Sequence, residues 1–262
     1  MNKVLPILAL SDNYIWAIPL AIDPADANAK QKVIIVDPGD HRPVVDCLRA
    51  NNLQLAAILI THHCFDHVGG LKDLLAYQSV PVYGPSISPH PLVDHPVNAG
   101  DEIHFDDQLK LSAMALPGHT LNHIGFYTKG MAFVGDTLFA GGCGRLHEGS
   151  TAQMHASLNQ LAALPEDTLI YGAHEYTTAN LRFAQAVEPD NQALKQRMLD
   201  THALRAQNQP TVPSTLALEL ATNPFMRCHL DSVKAAAEQH AGRPLSDAAT
   251  VFAIVRFWKD TY

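Results

Sequence analysis

The run Ala57-Ile58-Leu59-Ile60-Thr61 is apolar and rich in β-branched side chains, and it stops at His62-His63-Cys64-Phe65-Asp66-His67-Val68-Gly69-Gly70. A short buried strand that hands a cluster of ligand-capable groups to a loop and a helix start restricts what the chain can fold into. Val33-Ile34-Ile35-Val36-Asp37 is a second run of this kind, closed by Pro38-Gly39. Between the two, Arg42–Asn51 carries Val44, Val45 and Leu48 at helical spacing, which gives a β-α-β rhythm. Leu71–Tyr77 repeats the helical pattern more weakly.

Further along, Val80–Tyr83, Leu111–Leu116, His123–Tyr127 and Met131–Val134 are separated by Pro, Gly, Asp and Asn, and predict a second sheet. Helical spacing returns over Thr151–Leu164, and Thr168–Tyr171 reads as the last strand. Beyond Tyr176 the composition shifts to Ala, Gln, Leu and Arg, predicting a helix over Thr178–Val187 and another, past Pro189, to about Asn208. A final helix follows the Ser246-Asp247 cap, with Val251, Ile254, Val255 and Trp258 on its packed stripe and Arg256 and Lys259 facing elsewhere. The pattern therefore divides into residues 1–174 and a mostly helical 175–262.

A chain of 262 residues, 47% hydrophobic and 17% charged, can bury a sizeable core. Its formal charge of −8 argues against a general nucleic-acid surface, which needs clustered Lys and Arg. No stretch approaches the ~20 continuous apolar residues of a membrane helix. Met1–Leu10 is interrupted by Pro6 and reads as a first strand rather than a leader. Cys47, Cys64, Cys143 and Cys228 are scattered, the usage of reduced thiols, so the expected location is the cytoplasm.

Fifteen histidines are many for this length, and they concentrate in the first two-thirds. If strand geometry persists past Thr61, His62 and Cys64 point one way and His63 the other. Pro117-Gly118-His119-Thr120, Val134-Gly135-Asp136-Thr137 and Tyr171-Gly172-Ala173-His174 each place one His or Asp just beyond an apolar run. Any one of these alone reads as a helix cap or a hydrogen-bonded core residue. Together, His and Asp at several strand ends are the ligand set of zinc or iron, and one aspartate between two triads can bridge two ions.

The Thr61-His62 start, the Asp66-His67 pair and the separate His119, Asp136 and His174 strand ends resemble the metallo-β-lactamase superfamily. A closer resemblance runs nearly end to end, to its glyoxalase II (hydroxyacylglutathione hydrolase) family. It is carried by Ala9-Leu10-Ser11-Asp12-Asn13-Tyr14-Ile15-Trp16, Gly141-Gly142-Cys143-Gly144-Arg145, His174-Glu175-Tyr176-Thr177 with Asn180-Leu181, and Asn223-Pro224-Phe225-Met226-Arg227. The resemblance implies an α+β four-layer αββα sandwich followed by a C-terminal helical domain that binds glutathione. It implies two divalent metal ions, zinc first with iron or manganese as alternatives. His62, Cys64 and His119 would hold one ion, Asp66, His67 and His174 the other, and Asp136 would bridge. Arg145, Tyr176, Arg256 and Lys259 would bind substrate, a glutathione carboxylate being clamped by cations at i and i+3. The implied reaction is hydrolysis of S-lactoylglutathione to glutathione and D-lactate by a hydroxide between the ions, with Asp66 as its catalytic orienting group. The implied partner is this small thioester, with no nucleic acid and no membrane, and the chain would act as a monomer.

Position 64 departs from the family, which has histidine there. Thiolate is a competent zinc ligand on a shorter side chain, so three outcomes stay open. Cys64 ligates and keeps both ions, fails to reach and leaves one site weak, or acts as an oxidisable thiol that impairs the site. A metal-degenerate glutathione or acyl-thiol binding protein, and another ester or β-lactam hydrolase on the same scaffold, are the rival functions. His147 is a second departure, and Cys143 reads as a small residue in a tight turn.

Overall fold

The computed structural model describes residues 3–21, 30–105 and 109–262, and it divides into two compact units. The first is Met1–Ala115 with Asn122–Thr128; the second is Leu116–Leu121 with Lys129–Tyr262.

The first unit is built on a mixed sheet of β1 (Leu5–Ala9), β2 (Asn13–Pro19), β3 (Gln31–Val36), β4 (Leu53–Leu59), β5 (Val82–Pro85) and β6 (His95–Val97), in that order. β1–β2 and β2–β3 are antiparallel, and every pairing from β3 to β6 is parallel. A parallel β3–β4 pair needs a crossover, and α1 (His41–Ala50) supplies it. Asp40 caps this helix through the Arg42 amide, and Val44, Val45 and Leu48 are its buried face. With α2 (Phe65–Val68) and α3 (Leu71–Tyr77) that face closes over Ile15, Ala17, Val33, Ile35, Ile58 and Ile60 in one core. Burying a side chain of this size stabilises by about 1.5–3 kcal/mol. Packing thus fixes the carboxyl ends of β3 and β4, and with them the positions of Asp37 and Thr61-His62 just beyond. The unit also contains an antiparallel ladder of β7 (Glu102–Phe105), β8 (Leu109–Ala115) and β9 (Ile124–Thr128).

In the second unit β10 (Met131–Gly135) is followed by the two-residue strands β11 (Leu138–Phe139) and β12 (Gly142–Cys143), which pair antiparallel. Ser150 begins α4 (Thr151–Ala162) with a capping box completed by Gln153. β13 (Leu169–Gly172) runs parallel to β10. The chain continues as α5 (Thr177–Val187), α6 (Gln192–Ala206), β14 (Ser214–Thr215), α7 (Leu216–Thr222), α8 (Asp231–Ala241) and α9 (Ala248–Thr261). Phe183 of α5, Phe225 and Phe252 of α9 are fully buried, with ring centroids 5.9 Å apart for the first two and 5.8 Å for the last two.

Two sequence expectations change. β14 adds a strand beyond residue 174, where none was expected: it is two polar residues long and has no periodicity to read. Arg256 does not face away from the packed stripe: it is only 2% exposed, on the same side of α9 as Val255 and Phe252.

Candidate metal centre and substrate cleft

In the first unit the organising group is Asp37, just past β3. Its backbone sits at φ 54°, a left-handed conformation in which aspartate is among the more tolerant residues. Its buried carboxylate accepts from the Thr61 amide at 2.8 Å and from the Thr61 hydroxyl at 2.7 Å, and lies 3.0 Å from His67 Nδ1. An ionised carboxylate only accepts, so Nδ1 of His67 carries a proton and Nε2 presents its lone pair, 3.4 Å from Asp66 Oδ2. The Thr61 hydroxyl spends its single proton on Asp37. It therefore accepts from His62 Nδ1, 3.0 Å away, which leaves the His62 Nε2 lone pair outward as well. The two imidazoles are 4.1 Å apart between centroids, and His62 also stacks on His123 at 4.6 Å. Asn13 orients Asp66 by donating to Oδ2 at 3.0 Å.

His63 turns away to Asn122, 3.0 Å distant, as strand alternation predicts. Cys64, half-buried, is the residue before α2, and its carbonyl accepts from the amides of His67 and Val68. Gly39 is required for close approach here: a Cβ on it would lie 1.8 Å from the Asp66 carbonyl oxygen.

Sequence reading missed Asp37. Its signal was an acidic residue at the end of the neighbouring apolar run, ahead of Pro38-Gly39. A carboxylate holding a ligand histidine is typically worth ~10–100-fold in metal affinity. Asp37→Asn is accordingly expected to weaken zinc binding by about that factor, read by chelator competition, and an unchanged affinity would remove Asp37 from the site.

In the second unit His119 lies on a segment fixed from both sides. Ser157 of α4 donates to the Pro117 carbonyl at 2.8 Å, and a Cβ on Gly118 would meet Met154 at 2.8 Å. His119 Nδ1 is 2.8 Å from the Arg145 carbonyl, which can only accept, so Nδ1 is protonated and the Nε2 lone pair faces Asp136 Oδ2 at 3.5 Å. His174 Nε2 is 3.4 Å from Asp136 Oδ1. Gly144 is again a close approach, since its Cβ would sit 1.9 Å from the Asp136 carbonyl oxygen. A carboxylate with imidazole nitrogens at both oxygens, and an imidazole lone pair aimed at a carboxylate in each unit, is a donor chemistry that fits a divalent first-row ion.

Around His119 and Asp136 the second unit opens a cleft of about 480 Å³, lined also by Arg145, Tyr176, Arg256 and Lys259. The Tyr176 ring lies flat on His174, centroids 4.7 Å apart and planes 5° from parallel. Burial, and then the adjacent charges of Arg256 and Arg145, push the Lys259 ammonium below its usual pKa, so three cations crowd one cavity wall. Arg256 is engaged with the chain: Nη1 donates to the Cys143 carbonyl at 3.1 Å and Nη2 to Asp260 at 2.8 Å. Cys143 is buried in β12, which raises its thiol pKa. His147, left without a role by the sequence, packs edge-on against His119 at 4.7 Å.

Residues 27–174 match the model of the metallo-beta-lactamase superfamily, and residues 175–262 that of the hydroxyacylglutathione hydrolase C-terminus. A hydroxyacylglutathione hydrolase of Alkalilimnicola ehrlichii is 50% identical over 261 residues, 99% of each chain. The chain belongs to the hydroxyacylglutathione hydrolase family. A second member, from Aeromonas hydrophila subsp. hydrophila, is 48% identical over all of both chains. Among solved structures, the BLEG-1 B3 metallo-beta-lactamase superposes with a TM-score of 0.62 at 21% identity, covering 86% of this chain and 98% of its own. ETHE1 from Myxococcus xanthus gives 0.58 at 23% identity, covering 84% and 97%. The family's fold is therefore the α+β metallo-β-lactamase fold with a helical C-terminal region, and it implies divalent-metal binding through His and Asp clusters. No helix among the described residues is long and apolar enough to cross a membrane.

Proposed function

We propose that this family member hydrolyses S-(2-hydroxyacyl)glutathione thioesters, converting S-lactoylglutathione to glutathione and D-lactate. The observation that carries the reading is the cleft of the second unit, where Arg145 and Lys259 share a cavity with His119 and Asp136. Glutathione brings two carboxylates and a thioester. The cations suit the former and the His/Asp group the latter. Full-length relatives at about half identity bear the name of this activity.

By resemblance to the family, with cysteine in place of its histidine at position 64, the assigned ligands are His62, Cys64 and His119 for one ion, Asp66, His67 and His174 for the other, and Asp136 for both. Zinc suits this mixed imidazole, carboxylate and thiolate set, with iron and manganese as alternatives. When bound, such ions lower the pKa of water and polarise a carbonyl oxygen. The protein's own groups do the rest. Asp66, held by Asn13, orients the attacking water. Lys259 and Arg145 fix the glutathione carboxylates, and Tyr176 is placed to reach the substrate from its stack on His174. Arg256, committed to the Cys143 carbonyl, contributes field and loop geometry more than a direct clamp. Glutathione departs as a thiolate, so no strong general acid is needed. The helical C-terminal region favours this substrate over a β-lactam.

The decisive test pairs elemental analysis with S-lactoylglutathione hydrolysis on one sample purified under reducing conditions. Two metals per chain with turnover support the assignment; a fully metal-loaded protein that binds the thioester without turning it over overturns it in favour of a binding protein. A soft thiolate reduces the Lewis acidity of its ion. Cys64→His is therefore expected to raise kcat severalfold and to remove sensitivity to peroxide, and a loss of activity instead would mark Cys64 as the better-fitted ligand.

A further inference from the structure

Between the helices and the cleft lies a buried polar network that the proposed chemistry does not use. Glu219 of α7 is fully buried, and Arg197 of α6 is 5% exposed. One carboxylate oxygen of Glu219 takes the Arg197 guanidinium and the Ser214 hydroxyl. The other accepts from the Gly141 amide at 2.9 Å and from Asn223 Nδ2 at 3.0 Å. Asn223 Nδ2 is also 3.3 Å from the Phe139 carbonyl and 3.0 Å from that of Gly142. The Arg197 Nη1 donates to Thr222 at 2.6 Å, which closes the network on its helical side.

This network grips the β11–β12 turn. Gly141 stands at φ 70°, and a Cβ on it would press on Leu181 at 2.6 Å, while one on Gly142 would fall 2.5 Å from the Asn180 amide. The turn is therefore glycine-lined and closely packed, and Asn180 also holds it by donating Nδ2 to the Ala140 carbonyl at 3.2 Å. Three and four residues downstream of Gly141 the same segment presents Gly144 against Asp136 and the Arg145 carbonyl to His119 Nδ1. The Arg145 side chain enters the cleft at this point.

We propose that Glu219 is a positioning residue: its buried carboxylate fixes the Gly141 turn, and through it the Arg145 carbonyl that sets the orientation of His119. Charge on Glu219 is held by Arg197, and its oxygen on the turn does the positioning. This rests on the proposed metal assignment, in which His119 is a ligand. Loss of a group that orients a metal-binding histidine typically costs ~10–100-fold in affinity.

Two double variants isolate the oxygen from the charge. Arg197→Met/Glu219→Gln removes both charges and keeps a side-chain oxygen for Gly141; Arg197→Met/Glu219→Met removes the oxygen too at similar volume. Zinc affinity is measured by chelator competition, S-lactoylglutathione turnover on the zinc-loaded samples, and amide exchange over residues 138–145 on metal-free protein. The Met pair is expected to bind zinc about 10–100-fold more weakly than the Gln pair, to lose kcat more than KM, and to exchange the Gly141 amide faster. Equal affinity and equal exchange in the two pairs overturn the proposal, as does a Gln pair as impaired as the Met pair. Should neither pair fold, the unaltered chain decides: Gly141 exchange as slow as that of β10 supports the proposal, and fast exchange defeats it. If the zinc and exchange differences hold while even the unaltered chain fails to hydrolyse the thioester, the positioning role stands and the proposed substrate falls.

Discussion

Asp136→Asn is expected to lower thioester hydrolysis by about a thousandfold while leaving the fold intact. The carboxylate is nearly buried at the end of β10, with imidazole nitrogens 3.5 and 3.4 Å from its two oxygens. An amide of the same shape keeps one acceptor oxygen and replaces the other with an NH2 donor, so one of the two imidazoles meets a donor and the negative charge is lost. Lewis-acid and water-activating effects of a bound ion are worth several kcal/mol, and about 4 kcal/mol corresponds to three orders of magnitude in rate. The packing cost is small because Asn matches Asp in volume. Metal analysis on the variant separates causes: activity lost together with metal supports a bridging role, and activity lost with full metal content assigns Asp136 to substrate or water instead. Retention of wild-type turnover would eliminate Asp136 from the site.

Much of this arrangement was legible because apolar β-branched runs and their polar terminators are local signals. Val33–Asp37 and Ala57–Thr61 were readable as buried strands, and strand alternation alone separated His62 and Cys64 from His63. The family resemblance then carried the substrate assignments, which no spacing rule reaches. Asp37 was not assigned a role, because its importance comes from pairing with Thr61 and His67, which are 24 and 30 residues away in sequence. Arg256 was read as facing away from the packed stripe of its helix for a related reason. A charged residue in a helix repeat reads as facing away from the core, and the Cys143 carbonyl, Asp260 and the Phe225 ring beneath the guanidinium make its burial tolerable. β14, two polar residues paired to β13, had no period to detect.

The network under the cleft carries the second large effect, on stability. Arg197→Met alone, or Glu219→Gln alone, is expected to cost about 3–5 kcal/mol, because each leaves a charged or strongly polar partner in the interior without its counterpart. Side-chain exposures of 4% for Arg197 and 0% for Glu219 put the pair well beyond the screening that makes exposed ion pairs nearly neutral. The Glu219 carboxylate would retain the Gly141 amide, Ser214 and Asn223 after loss of Arg197, yet these neutral donors do not cancel its charge. The guanidinium left by Glu219→Gln keeps Thr222 and faces a neutral amide in place of a carboxylate, so its charge is uncompensated and that single change is the more damaging of the two. Replacing Arg197 by Met and Glu219 by Gln together removes both charges and their desolvation penalties, while the Gln oxygen stays as an acceptor for the Gly141 amide. Urea midpoints of the singles and the double therefore form a cycle whose double should be more stable than either single. Additive losses would mean that the two charges do not interact as a buried pair.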